Sequence, residues 1–268
     1  MSATPLSAYL EGLGVLGPGL ANWPETAAIL RGETAWHLAR TIVPVPQWLP
    51  SAERRRTNTV VKLALAVGRE AVDAAGADAG QLLTVFASSG ADGQNCHEIC
   101  ETLASDAREL SPTRFHNSVH NAAAGYWGIA TGAMQASNVL CAYDASFAAG
   151  LLDALMQVVV EQKPVLLISY DAQYPPPLHE KRPLPDAFGV ALLLSPTRSA
   201  HSQSRLSAQL SDDPFSRMAE TPLESLRTAI PAARVLPLLQ LVARREHGIA
   251  VLEYLDPHGM RVEVDPCN

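Results

Sequence analysis

Between Asn138 and Tyr170 the chain reads NVLCAYDASFAAGLLDALMQVVVEQKPVLLISY. A short apolar run, Asn138 to Ala142, is followed by an apolar stretch of helical length, Phe147 to Glu161, and then by the fully apolar run Pro164 to Tyr170. Length separates the three pieces into strand, helix and strand. A strand without polar alternation is one buried on both faces, as in sheets covered by helices on either side. This unit therefore predicts a layered α/β domain with a largely parallel sheet.

The flanking sequence continues the alternation. Residues 8–17, AYLEGLGVLG, read as a glycine-bounded strand, and Trp23-Pro24-Glu25 opens a short helix with proline in its first turn. TIVPVPQWLP, 41–50, loses too many backbone donors to be a helix or central strand and reads as an extended surface loop. Thr57 to Ala75 repeats apolar residues at helical spacing and stops at Gly76, and Leu82 to Ala87 is a short strand. Further helices are expected over Gln94–Arg108 and Asn121–Met134. After a proline-rich loop at 174–187, Phe188–Leu194 and Arg205–Leu210 read as consecutive strands. A helix over about Pro222–Arg245, interrupted near Pro231 and Pro237, precedes a hairpin pattern turning at Asp256-Pro257-His258-Gly259.

Composition narrows the function classes. With 47% apolar and 18% charged residues the chain is globular. A net charge of −7 argues against a general affinity for nucleic acid or anionic lipid, and the Arg54-Arg55-Arg56 run reads as a solvated helix start. The first basic residue is Arg31, so no positively charged leader is visible, and no stretch approaches a membrane span. Four cysteines without framework spacing fit reduced thiols, so a cytoplasmic location is expected.

Several segments, in order, resemble β-ketoacyl synthases. They are GLGVLGPGLANWPETAAILRGETAW, VVKLALAVGREAVDAAGAD, VFASSGADG, RFHNSVHNAAAGYWGIATG, NVLCAYDASFAAGLLDALMQVV and DAFGVALLLSP. The match spans roughly residues 8–210 and resembles the N-terminal half of a thiolase-fold condensing enzyme. The resemblance implies an α/β, thiolase-like layered fold: one βαβαβαββ half, residues 1–210, with a five-stranded core. A shortened C-terminal appendage, 211–268, of helix and hairpin would pack on it. Short proteins of this type accompany aryl-polyene and related fatty-acid-like synthases as chain-length factors. The resemblance therefore implies a full-length β-ketoacyl synthase as partner in a heterodimer, or a second copy in a homodimer, with acyl carrier protein met indirectly.

A condensing synthase needs a cysteine at the start of a buried helix, where backbone N–H groups and the helix dipole favour the thiolate. It also needs two histidines from the family's second half, and none of the eight histidines here lies in a matching context. The resemblance places Asp144 at the nucleophile position, where a carboxylate is better suited to accepting the free N–H groups of the helix start. Cys141 is the rival nucleophile; in an apolar strand it reads as a small hydrophobe. Three readings follow: a non-catalytic subunit, an acyltransferase or minimal ketosynthase using Cys141 completed by His247 or His258, and a homodimeric scaffold.

No cofactor or metal site is expected. Ser88-Ser89-Gly90 and Gly93 lack a phosphate-loop lysine, CHEIC at 96–100 lacks a second ligand pair, and His116 and His120 have metal spacing only within a helix. By resemblance, the strand Ser137–Cys141 pairs across a two-fold axis, central or at a dimer edge, and the loop Arg114–Asn121 reaches toward the partner's tunnel. Phe115, His116, Val119, Tyr126, Trp127 and Val139 are the candidate interface and tunnel residues, with Tyr126 and Trp127 equally readable as core.

Overall fold

A computed structural model describes residues 6–267. Among them run strands β1 (Leu6–Leu16), β2 (Leu83–Ala87), β3 (Ser137–Leu140), β4 (Val165–Asp171), β5 (Phe188–Ser195), β6 (Ser204–Ser211), β7 (Gly248–Glu253) and β8 (Gly259–Pro266). The helices are α1 (Trp23–Leu30), α2 (Ser51–Arg54), α3 (Thr59–Ala75), α4 (Gly93–Ala104), α5 (Pro112–His116), α6 (Ala122–Thr131), α7 (Ser146–Glu161), α8 (Leu178–Lys181), α9 (Thr221–Ala229) and α10 (Leu236–Arg244).

All eight strands form one sheet in the order β3-β2-β4-β5-β1-β6-β8-β7. β2 pairs in parallel with β3 and β4, with Phe86 opposite Val139 and Ile168, and the remaining pairs are antiparallel. Every residue of β2 and β4 is buried, as expected for strands lacking polar alternation. The expectation of a five-stranded core over residues 8–210 is corrected: that span holds six strands, β1 to β6, and the sheet has eight. The C-terminal hairpin lies in the plane of the sheet, because β8 pairs along all of β6, from Ser204–Pro266 to Ser211–Gly259. Beside β1, β6 would otherwise be a bare edge.

Two cores sandwich the sheet. On one face lie α3 and α6, around Val61, Leu65, Phe86 and Trp127. On the other lie α7, α1 and α10, around Leu10, Phe147, Leu155 and Leu238. The Gly12-x-Gly14 pattern has a packing cause: a Cβ at Gly12 would stand 2.0 Å from the Ala71 carbonyl oxygen and one at Gly14 2.1 Å from that of Val67. α3 thus rests directly on the backbone of β1. Glu70 on α3 fixes this contact by accepting from Val15 N at 2.9 Å and Trp23 N at 2.5 Å.

Helix ends follow their caps. Asn58 caps α3 and Gly76 closes it in the left-handed conformation at φ 61°. α4 stops at Ala104 rather than Arg108, and α6 stops at Thr131, where Gly132 turns left-handed at φ 70°. Pro231 and Pro237 divide the C-terminal helical run into α9, a short 3₁₀ segment at Pro231–Val235, and α10. Tyr143–Glu161, containing α7, is apolar and long enough to resemble a membrane span, but its buried side, including Phe147, Leu151, Leu155 and Val158, belongs to the core.

Candidate functional site

The parallel strands end together, and the carboxyl ends of such strands are where α/β sheets place their chemistry. Asp171, the last residue of β4, is buried there. Its carboxylate accepts from Ser89 N at 2.8 Å, Ser89 Oγ at 2.6 Å and Ala232 N at 2.9 Å. It therefore pins the turn after β2 and the 3₁₀ segment after α9 to one point. Burial raises its carboxyl to about 6, against the opposing pull of the three donors. Tyr174 lies over the same turn, and only glycine fits beneath it. A Cβ at Gly90 would stand 1.9 Å from its hydroxyl oxygen, and one at Gly93 2.2 Å from its ring.

Cys141 is the first residue after β3. It is exposed, and its thiol donates to the Ser89 carbonyl at 3.3 Å. The strand-to-helix turn follows as a 3₁₀ segment, Tyr143–Ala145. The residue holding the left-handed conformation is Tyr143, at φ 52°, one position before Asp144. Ser146 ties the turn down: its hydroxyl donates to the Tyr143 carbonyl at 2.7 Å and accepts from Ala142 N at 3.0 Å.

Asp144 does not cap α7, whose N-cap, Ala145, makes no side-chain bond. Its carboxylate bridges two arginines, accepting from Arg182 at 2.7 Å and Arg234 at 2.9 Å. Arg234 continues to Glu253 at 2.6 Å, Glu253 to Arg227 at 3.0 Å, and Arg227 to Glu224 at 2.8 Å. Two half-buried guanidinium groups outcompete the α7 N–H groups for the carboxylate because charge-assisted hydrogen bonds are the stronger ones. The Arg182 guanidinium also lies 3.8 Å over the Tyr143 ring, holding the exposed phenol beside the turn.

The candidate interface residues divide. Phe115 and Val119 are exposed at 68% and 51%, and His116 is exposed with its ring edge-on to Tyr126 at 6.4 Å. Val139 is partly buried on β3, which is the sheet edge. Tyr126 and Trp127 are core residues with no surface to offer a partner. The Tyr126 hydroxyl donates to Asn117 at 3.1 Å, and Trp127 stands edge-on to Trp48 at 5.8 Å, against Gly68 of α3. That mid-helix glycine was the available signal for the indole, since a Cβ there would meet the ring at 2.7 Å.

The remaining candidates disperse. α5 ends at His116, so His116 and His120 share no helix. His247 and His258 lie at the ends of the C-terminal hairpin strands, bound to Asp265 at 2.7 Å and Asp212 at 2.6 Å. Strands β2, β4, β5, β1 and β6 stand between that hairpin and β3, so neither histidine completes Cys141. Cys96 and Cys100 are exposed on α4; burial and the neighbouring Cys100 thiol raise the Cys96 thiol, which favours neither nucleophile nor metal ligand. His247, Glu263 and Asp265 lie within metal-binding reach of one another, but Asp265 already holds His247, and Arg261 faces Glu263 at 3.4 Å.

Asp171, Tyr174, Arg182 and Arg234 escaped the sequence reading, which weighed Ser89 only as part of a phosphate loop. An acid directly after a fully apolar strand marks Asp171. The arginines sit in proline-bounded segments without periodicity.

This sheet, with its buried carboxylate at the strand ends and its strained turn into a buried helix, defines a thiolase-like α/β domain of ketosynthase type. The chain belongs to the β-ketoacyl synthase N-terminal domain family, whose model matches residues 24–248. No curated protein matches the sequence. Among solved structures, it is similar to a chain of the ketosynthase ApeO in complex with its chain length factor ApeC from Xenorhabdus doucetiae. That match has 22% identity and a TM-score of 0.73, covering 96% of this chain and 99% of that one. A chain of the ishigamide ketosynthase/chain length factor matches at 11% identity and TM-score 0.73, covering 99% and 100%. A chain of AntDE:AntF, a type II polyketide synthase acyl carrier protein in complex with its ketosynthase bound to the hexaketide, matches at 9% and 0.75, covering 98% and 100%. At these identities the likeness is one of fold.

Proposed function

We propose that this chain is a non-catalytic, chain-length-factor-like partner of a β-ketoacyl synthase in fatty-acid or polyketide biosynthesis of the aryl-polyene type, working in the cytoplasm and shaping the partner's acyl tunnel. The observation that carries this reading is the strand-to-helix turn. Its residues, Tyr143–Ala145, include no thiol. The nearby Cys141 donates to a backbone carbonyl, and among the described residues no histidine is bonded to it. A cysteine acts as a nucleophile through its thiolate, which needs a cationic or basic neighbour.

Three further features support a partner. The outer edge of β3 carries no backbone partner among the described residues and no charged side chain to protect it. The elements leading to and from it expose Phe115, Val119, Ile129, Met134 at 93%, and Tyr143. On α6, Gly125 is exposed inside a helix, where a Cβ would meet nothing within 4 Å. Helical glycine is costly by about 0.5–1 kcal/mol relative to alanine. Nothing among the described residues offsets that cost, whereas a backbone approaching from outside would. The solved neighbours include ketosynthases with their chain length factors and a ketosynthase in complex with its acyl carrier protein. Here carrier protein meets the pair through the synthase.

The test is incubation of the purified chain with acyl and malonyl carrier proteins, with and without a full-length ketosynthase. The chain alone gives no ketoacyl product and no adduct by intact mass, and it co-elutes with the synthase as a heterodimer. An acyl group on Cys141 would instead support the acyltransferase or minimal-ketosynthase reading.

A further inference from the structure

Two cavities adjoin beside the ends of β2 and β4, and their linings differ in kind. The first, of about 510 Å³, has a mixed polar and apolar lining and lies between the first turns of α3 and α4 and the chain after β4. Four cationic side chains line it: Arg40, Arg56, Lys62 and Arg114. Arg56 and Arg114 are paired, to Glu53 at 3.1 Å and Glu98 at 2.9 Å. Lys62 and Arg40 have no ion-pair partner among the described residues. Two further acids line the cavity and are engaged. Asp186 accepts from Thr41 N at 2.9 Å and Ala187 N at 2.8 Å; Asp92 caps α4 at Asn95 N, 3.1 Å, and accepts from Asn58. The positive ends of the 17-residue α3 and the 12-residue α4 face the same space.

The second cavity, of about 590 Å³, is walled largely by apolar groups, among them Pro18, Trp36, Leu38, Pro222, Leu226 and Ala229. Its outer wall is fixed in place: Trp36 Nε1 donates to the Pro18 carbonyl at 3.0 Å and Gly19 N to that of Ala39 at 2.9 Å. Arg40, Gln173 and Asp186 line both cavities. Arg40 suits such a junction, with an alkyl stem for one side and a guanidinium for the other. Each volume falls within the range of about 300–1,000 Å³ typical of small-molecule sites.

We propose that the two cavities are one binding site for a single-chain anionic amphiphile, its alkyl tail in the apolar arm and its phosphate or carboxylate head beside Lys62 and Arg40. The two arms divide the work: the second cavity covers a chain with apolar groups, and the first supplies the unpaired cations Lys62 and Arg40. The site stands apart from the β3 edge and does not depend on the partner reading.

Isothermal titration of the full chain with octanoate, octyl phosphate and octanol tests the site. Both anions, or one of them, bind one per chain and at least about tenfold more tightly than octanol, the tenfold corresponding to one charge-assisted contact. Binding of one anion only identifies the head group as carboxylate or phosphate. Lys62→Glu reduces anion affinity by a similar factor and leaves octanol unchanged, and Arg40→Gln reduces anion affinity more than octanol affinity. Ala229→Trp, at a partly exposed wall position, abolishes binding of all three with an unchanged melting temperature, and Ser225→Trp is the second filler if that variant fails to fold. Equal affinity for octanol and the anions, or undiminished octanoate binding by a folded filler variant, overturns the proposal.

Discussion

β3 and β7 bound the same sheet and are finished differently. β7 is satisfied from within: Ser216 N donates to the Val251 carbonyl at 2.9 Å, and Val251 N donates to the Ser216 hydroxyl at 2.9 Å. The chain entering it, Arg244 to His247, is charged or titratable and exposed. β3 has four residues, Ser-Asn-Val-Leu, without charge, and no described group meets its outer backbone. An edge that must stay monomeric is blunted by charge or a covering segment. The contrast teaches that the chain completes itself at one end and leaves the other uncovered among the described residues. Substitutions at β7 should therefore read out in the stability of the isolated chain, and substitutions at β3 in association.

The largest effect is expected from a charge on β3. Val139→Asp should weaken association with a ketosynthase, or with a second copy, by at least about a hundredfold, because an unpaired charge in an interface costs several kcal/mol. Asn138→Lys, on an exposed position, should do the same without touching the core. Ile249→Asp on β7 should leave association unchanged. Analytical ultracentrifugation of the three variants decides; equal behaviour of the two edges would break the comparison.

The next effect lies on the self-completed side. Asp171→Asn places an amide N–H where a carboxylate oxygen now meets an N–H or O–H donor. It should destabilise the isolated chain at pH 7 by about 1–3 kcal/mol in urea unfolding. Asp171 has its carboxyl raised from 3.8 to about 6 by burial, so the folded chain holds that proton more tightly than the unfolded chain does. Its contribution is full below 3.8 and is lost as pH rises through 6. The advantage of wild type over the asparagine variant should therefore grow as pH falls from about 7 to about 5. A constant difference would mean the carboxyl is already ionised throughout that range.

Phe115→Ala should act only in the complex. The ring is exposed at 68% in the isolated chain, so stability should barely change. If the segment before α6 reaches the partner's tunnel, removing the ring should lengthen the product, read by mass spectrometry of carrier-protein-bound chains. An unchanged profile would place the tunnel wall elsewhere.

The layered fold was legible because its signals are local and periodic. PVLLISY reads as a doubly covered strand, and Gly76, Pro231 and Pro237 mark boundaries by their own stereochemistry, whereas the start of α3 falls at Thr59, after the Asn58 cap, rather than at Thr57. The width of the sheet was not legible, because pairing between β6 and β8 joins residues far apart in sequence and either strand could have ended the sheet. At the site, Asp144 was found but its role was not. Helix capping is a short-range rule, whereas Arg182 and Arg234 reach it from 38 and 90 positions away. Trp127 was ambiguous for a related reason: its ring packs against Gly68, on a different helix.

The smallest effect is the sharpest test of the β3 face. Gly125 lies inside α6 with open space where a side chain would begin. Gly125→Ala removes backbone freedom from the unfolded chain and adds a helix-favouring residue without a clash, so the isolated chain should gain about 0.5–1 kcal/mol, visible as a higher melting temperature. If another backbone packs against this face, the same methyl group should hold it off and weaken association, with the loss read in the dissociation rate. The two measurements should thus move in opposite directions for a single methyl group. A variant that is more stable alone and associates as before would show that α6 faces solvent in the assembly and that only the β3 edge is covered.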